Sequence, residues 1–106
     1  MAVLINLRAS CQSDLERVEK VTMEVAKQIL QEIEGGVKKF EPFMRYSSFG
    51  ESGINFTVIL RAKEYTDQYL IVHEFIKRLQ RRYQVEGIEI PSSVRMVYSD
   101  NGILKG

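Results

Sequence analysis

The chain has 106 residues, of which 44% are hydrophobic and 27% charged, with a net charge of +1. That length fits one domain able to bury a two-layer core, and the near-neutral balance gives no global field to draw the chain to nucleic acid or anionic lipid. The one cysteine, Cys11, excludes an internal disulfide framework and fits a reducing compartment.

No targeting pattern opens the chain. Met1 to Ser10 lacks a basic segment followed by a long apolar run, so it does not read as a signal peptide. The longest apolar runs, such as Val58 to Leu60 and Tyr69 to Val72, fall far short of the ~20 residues a bilayer helix needs. The expectation is a soluble protein or a soluble piece of a larger one.

The first element is a strand: Val3, Ile5, Leu7 and Ala9 alternate with Leu4, Asn6, Arg8 and Ser10, which gives one apolar face. Ser13-Asp14-Leu15-Glu16 then has the form of a capping box, with Ser13 accepting from exposed backbone N–H groups and Glu16 returning a bond to Ser13. The acidic first turn suits the helix dipole. Leu15, Val18, Val21, Val25, Ile29 and Ile33, widened by Ala26 and Leu30, recur at three and four residues and predict an amphipathic helix. Gly35-Gly36 is its stop.

Pro42 to Ser48 reads as a second strand, and the glycines and serine of Phe49 to Gly53 as a hairpin connection. Ile54, Phe56, Val58 and Leu60 alternate with Asn55, Thr57, Ile59 and Arg61 in a third strand. A second helix opens at Thr66 or Asp67 with a core stripe of Tyr69, Val72, Ile76, Leu79 and Tyr83, flanked by Leu70 and Phe75. Glu74, Lys77, Arg78, Arg81 and Arg82 are expected to face water. Gly87 stops the helix, Ile88 to Ile90 is a very short strand ended by Pro91, and Val94 to Tyr98 is a last extended piece. The order β-α-β-β-α-β predicts an α+β, ferredoxin-like fold, an antiparallel sheet with two helices on one face, over residues 1–98. Residues 99–106 form a polar tail. Asn6, Arg8, Asn55, Thr57, Ile59 and Arg61 are left on the open face of the sheet.

Catalytic and metal chemistry find no purchase in this pattern. The only histidine, His73, lies inside the second helix without a nucleophile and oriented base around it. One Cys and one His do not make a metal-ligand set. Gly50-x-x-Gly53 joins two strands rather than a strand and a helix, so it is a turn and not a phosphate cradle. RNA-recognition domains share the predicted fold and stack bases on aromatic residues of the open face. Here that face offers Asn55, Thr57, Ile59 and Arg61, while Lys77, Arg78, Arg81 and Arg82 read as a solvated helix face. No catalytic, cofactor-binding or metal-binding residue is assigned.

Several short motifs stand in an order that carries a resemblance. Asp14-Leu15-Glu16-Arg17-Val18 opens the first helix, and Phe49-Gly50-Glu51-Ser52-Gly53-Ile54-Asn55-Phe56 enters the third strand. Gly87-Ile88-Glu89-Ile90-Pro91 ends the second helix, and Arg95-Met96-Val97-Tyr98 follows. Together, over Val3 to Tyr98, they resemble the C-terminal α/β domain of the small-conductance mechanosensitive channel (MscS) family. The motif residues carrying this are Ser13, Glu16, Gly50, Ser52, Asn55, Gly87, Ile88, Ile90 and Pro91. One departure stands out: the family continues the last motif as P-F-P, whereas this chain has Pro91-Ser92-Ser93.

The resemblance implies a homo-oligomeric parent, a heptamer, embedded in the inner membrane and opened by tension to release ions and small osmolytes in hypo-osmotic shock. This domain would form part of the vestibule on the cytoplasmic side. It implies no cofactor, no enzymatic activity, no nucleic acid and no small-molecule substrate. A sheet edge with unpaired backbone groups favours pairing, so Ile88, Ile90, Val94, Met96, Val97 and Tyr98 are candidate contacts between subunits in a ring of heterologous interfaces. The other class open to the sequence is a stand-alone soluble binding or regulatory module of the same fold.

Overall fold

A computed structural model describes residues 1–91. Within them, β1 (Ala2–Ala9), α1 (Leu15–Glu32), β2 (Phe43–Phe49), β3 (Ile54–Arg61) and α2 (Asp67–Glu86) follow one another. The strands form one antiparallel sheet in the order β1-β3-β2. This is the α+β arrangement expected from the alternation of strand and helix periods. The segments 94–98 and 99–106 lie outside the described residues.

Register follows from which side chains must be buried. Val3 faces Leu60, Ile5 faces Val58 and Leu7 faces Phe56, so the apolar residues of β1 and β3 share one face. Met44 pairs with Val58 on the same side, and the β2–β3 register shifts between Tyr46 and Ser48. Against that face α1 packs Val18, Val21, Val25, Ile29 and Leu30, and α2 packs Ile71, Phe75, Leu79 and Tyr83. The opposite face holds Leu4, Asn6, Thr57 and Ile59, outside the core as the alternation requires.

Three local expectations are corrected. The cap of α1 is Asp14, not Ser13: the Asp14 carboxylate accepts from the backbone N–H of Glu16 at 3.1 Å and of Arg17 at 3.4 Å. The Ser13 N–H instead donates to the Ser10 carbonyl at 3.1 Å, closing the turn after β1. Both residue types cap well, and the helix starts one position later than a capping box on Ser13 requires.

The second correction concerns Ile88 to Ile90, which pairs with no strand among the described residues. Gly87 takes the left-handed conformation at φ 71°, and the Ile88 N–H bonds back to the Tyr83 carbonyl at 2.9 Å. That wrap ends a helix through glycine and turns Ile88 into the core while leaving Ile90 outside.

The third is the phase of α2. The buried stripe is Ile71, Phe75, Leu79 and Tyr83, whereas Tyr69 and Ile76 are 60% and 42% exposed. Leu70-Ile71-Val72 and Phe75-Ile76 are apolar runs, so a period of 3.6 admits two neighbouring phases. Contact with α1 selects between them. Arg78 pairs with Glu32 at 2.7 Å, Arg82 with Glu24, and Arg17 with Glu86 at 3.0 Å. Those ion pairs rotate the Arg78–Arg82–Glu86 flank toward α1. Arg78 and Arg82, expected to face water, therefore lie along the helix seam.

Candidate functional site

The two motif clusters are places where chain segments are tied together, and each can be built from its residues. In the hairpin between β2 and β3, the Gly50 N–H donates to the Gly53 carbonyl at 2.6 Å. A Cβ on Gly53 would collide with the Ala9 carbonyl oxygen, so only glycine lets the hairpin lie against the end of β1. Asn55 is the hub: its Oδ1 accepts from Arg8 Nε at 3.2 Å, and its Nδ2 donates to Ser48 Oγ at 3.1 Å. Ser52 Oγ accepts from Arg8 at 3.4 Å. Gly50, Ser52 and Asn55 thus bind the ends of all the described strands to one another. This chemistry holds backbone, and it presents no nucleophile or oriented base.

The second cluster lies where α2 ends beside the start of α1. Arg17 reaches across to the Glu86 carboxylate at 3.0 Å and also donates to the Glu86 backbone carbonyl. Arg82 bonds the same carboxylate at 2.9 Å. The Arg82 hydrogen bond, aided by Arg17, holds the Glu86 carboxyl below the usual carboxylate range. A shallow cleft beside it is lined by Gln12, Ser13, Asp14, Gly87, Ile88 and Glu89. Glu16 stands in the first turn of α1 next to it, exposed, its N–H spent on the Asp14 cap. Pro91 closes the described chain, half-buried. Gly87 needs its glycine for conformation alone, since a Cβ there would meet nothing within 4 Å.

Between the helices a buried hydrogen bond links Thr22 Oγ1 and the Tyr83 hydroxyl. Burial pushes the Tyr83 hydroxyl above its ordinary pKa, and the Thr22 bond works against that rise. Tyr46 donates to the Leu15 carbonyl at 2.8 Å, and burial pushes its pKa up to about 12, with Glu19 adding to the rise. Sequence reasoning did not single out Thr22 or Tyr46. A threonine amid an apolar helix stripe, three and four residues from Val18, Val25 and Ala26, was the available signal for Thr22.

The titratable residues stay apart. His73 is exposed on α2 and Cys11 is exposed in the loop after β1. Among the described residues no three His, Cys, Asp or Glu side chains gather as a metal site would require. No described helix is long and apolar enough to cross a membrane. Of the suggested contact residues, Ile88 is buried within the protomer and Ile90 is 48% exposed. Val94, Met96, Val97 and Tyr98 lie outside the described residues.

The same geometry is found in known proteins. The family model described as "Mechanosensitive ion channel MscS, C-terminal" matches residues 3–90. Among solved structures, Helicobacter pylori MscS in its closed state superposes with a TM-score of 0.69 and 24% identity, covering 96% of this chain and 39% of that one. A variant of Arabidopsis thaliana MSL1 gives a TM-score of 0.60 at 14% identity, covering 87% of this chain and 35% of that one. Wild-type MSL1 gives 0.56 at 15% identity, covering 88% and 32%. At these identities the structural likeness shows the fold, and the chain spans less than two fifths of the length of each channel chain. No curated protein matches it.

Proposed function

Because the chain belongs to the MscS C-terminal-domain family of mechanosensitive ion channels, we propose that it is the cytoplasmic vestibule domain of a channel that opens under membrane tension and releases ions and small osmolytes. The match of the family model over residues 3–90 carries this reading. The character of the motifs supports it. Gly50, Ser52, Asn55 and Gly87 serve to lock strand ends and a helix exit, as a rigid wall element demands.

The parent is a homo-oligomer, a heptamer, in the inner membrane. Its subunits meet at heterologous faces, with Ile90, Val94, Met96, Val97 and Tyr98 as the seam residues and Ile88, buried in the protomer, removed from that set. The domain performs no catalysis and takes no cofactor. Arg78 and Arg82, half of the cationic patch that an RNA-binding reading would use, are engaged by Glu32, Glu24 and Glu86.

The test is to express the complete gene in bacteria lacking their own tension-gated channels, then apply hypo-osmotic shock and patch-clamp the membrane. Survival of the shock together with tension-dependent conductance is the expected result. A complete reading frame that encodes no apolar helix of ~20 residues overturns the proposal and favours the stand-alone module. For the seam, Val97→Asp is expected to disrupt assembly of the full-length ring; an unchanged ring removes that segment from the interface.

A further inference from the structure

The face of the sheet turned away from the helices is not uniform. Opposite residues of an antiparallel pair stand on the same side, so the register places Leu4, Ile59 and Phe43 in one row across all the described strands. Leu4 is 62% and Phe43 40% exposed, with Ile59 half-buried between them. A single exposed apolar residue needs no explanation, but a row that spans the sheet does. Along each strand the row is one residue wide. Two positions from Leu4 stands Asn6, two from Phe43 stands Arg45, and Ile59 lies between Thr57 and Arg61.

Cations flank the row. β1, β2 and β3 contain three arginines and no Asp or Glu, although the whole chain holds 15 basic and 14 acidic residues. All three stand on this open face: Arg45 opposite Thr57, Arg61 opposite Ala2 and Arg8 opposite Asn55. Arg45 and Arg61 lie on opposite sides of the row, and each guanidinium rests on a ring. Arg45 is 5.1 Å from the centroid of Phe43, and Arg61 is 5.9 Å from that of Phe40. The two rings are themselves 6.4 Å apart. Stacking fixes the guanidinium plane and leaves its N–H edge able to bond. Arg45 spends one N–H on the Met44 carbonyl at 2.8 Å. The Arg61 guanidinium makes no hydrogen bond or ion pair among the described residues. Glu41, two residues before β2, pairs instead with Lys27 of α1 at 3.0 Å.

We propose that this face seats an acidic amphipathic helix of another polypeptide, laid across the strands, its apolar stripe on the row and its carboxylates on Arg45 and Arg61. The dimensions fit a helix. Neighbouring strands lie ~4.8 Å apart and successive helical turns ~5.4 Å apart, so side chains at i, i+4 and i+7 meet Leu4, Ile59 and Phe43 in turn. Residues two positions along a strand stand ~6.8 Å to the side, where Arg45 and Arg61 reach the two shoulders of a helix ~10 Å wide. A strand fits less well. Sheets pack with their strands nearly aligned, so a strand's inward residues would leave the row after one apolar contact and meet Asn6, Thr57 or Arg61. Charge complementarity sets the sign of the partner. Carboxylates find guanidinium edges already oriented, whereas a basic helix would set like charges together. The row supplies burial and the arginines select the partner. The seat does not depend on the parent being a channel.

The probe is a synthetic helix of roughly five turns, with leucines along one stripe and glutamates on both shoulders, titrated into the full chain. Amide chemical shifts are the readout. Leu4, Asn6, Thr57 and Ile59 are expected to shift, while Val25 and Ile29 in the helical layer keep their positions. The same helix with lysines in place of the glutamates is expected not to bind. Arg45→Glu combined with Arg61→Glu should weaken the acidic helix at least about tenfold. Leu4→Asn should weaken it by about as much through the row alone. These side chains lie outside the core, so both variants are expected to melt like the unaltered protein. Absence of binding by the acidic helix overturns the proposal, as does equal binding of the acidic and basic helices. Adsorption to phosphatidylglycerol vesicles without helix binding also overturns it and gives the face to a lipid surface. Shifts at Leu4 and Ile59 that grow with protein concentration alone overturn it in favour of a second copy.

Discussion

The two helices differ in a way that the composition does not foretell. α1 buries the stripe its periodicity marks, from Val18 through Val25 to Leu30, and leaves charged residues outside. α2 carries apolar residues on two flanks and buries only one. Phe75 is 0% exposed, while its chain neighbour Ile76 is 42% exposed. A helix whose whole apolar surface meets partners within one domain writes a single phase into its sequence. A helix that also carries apolar residues outside the core writes a broader one.

The sharpest way to break this contrast is to truncate the adjacent pair. Phe75→Ala opens a cavity in the middle of the core and is expected to cost about 3–5 kcal/mol in urea unfolding. Ile76→Ala is expected to cost less than about 1 kcal/mol, since its side chain lies outside the core. Equal costs for Phe75 and Ile76 would abolish the distinction between the flanks.

The seam between the helices supplies the next largest effect. Tyr83 and Thr22 share a buried hydrogen bond, so Tyr83→Phe leaves the Thr22 hydroxyl without its partner and is expected to cost about 1–2 kcal/mol. Adding Thr22→Val removes the orphaned hydroxyl and should recover part of that loss. If the double variant is as unstable as the sum of the two singles, the bond does not fix the phase of α2, and the ion pairs with α1 do so alone.

How much of this was legible depended on where each partner stood in the chain. The strands were readable because β1 and β3 bury one face and expose the other, so alternation had one solution. The apolar stripe of α1 was readable for the same reason. The phase of α2 was not, because Leu70-Ile71-Val72 and Phe75-Ile76 each offer two inward choices, and the ion pairs that decide join residues 46 to 69 positions apart. The cap at Asp14 was hidden by Ser13 beside it, a residue equally able to cap. The motif glycines were visible, yet their reasons were not. Gly53 is glycine because the Ala9 carbonyl crowds it, whereas Gly87 is glycine because its backbone is left-handed.

That difference gives a smaller and cleaner test. Gly87→Ala meets no steric obstacle, so its whole cost is backbone conformation, expected at about 1 kcal/mol. Gly87→Asn should cost less, because asparagine tolerates the left-handed region. A Gly87→Ala cost no larger than that of an exposed loop substitution would show that the chain leaves α2 by another route than the left-handed turn that bonds the Ile88 N–H to the Tyr83 carbonyl.

The smallest effect lies at high pH and compares two tyrosines that support α1. Tyr46 donates to the Leu15 carbonyl in the first turn, and Tyr83 bonds Thr22 one turn and more further on. Burial raises both hydroxyls above the ordinary value of 10, Tyr46 to about 12. A folded-state pKa above the unfolded one means that the native protein holds the proton more tightly. The associated stability is complete below pH 10 and is lost as the pH climbs toward 12. The melting temperature is therefore expected to fall over that interval. Tyr46→Phe, which keeps the ring against Phe56 at 5.5 Å, should flatten part of the fall while lowering stability at neutral pH through the lost bond to Leu15. If the variant keeps the full alkaline loss, Tyr46 does not hold its proton through the fold, and Tyr83 at the helix seam becomes the source of the slope.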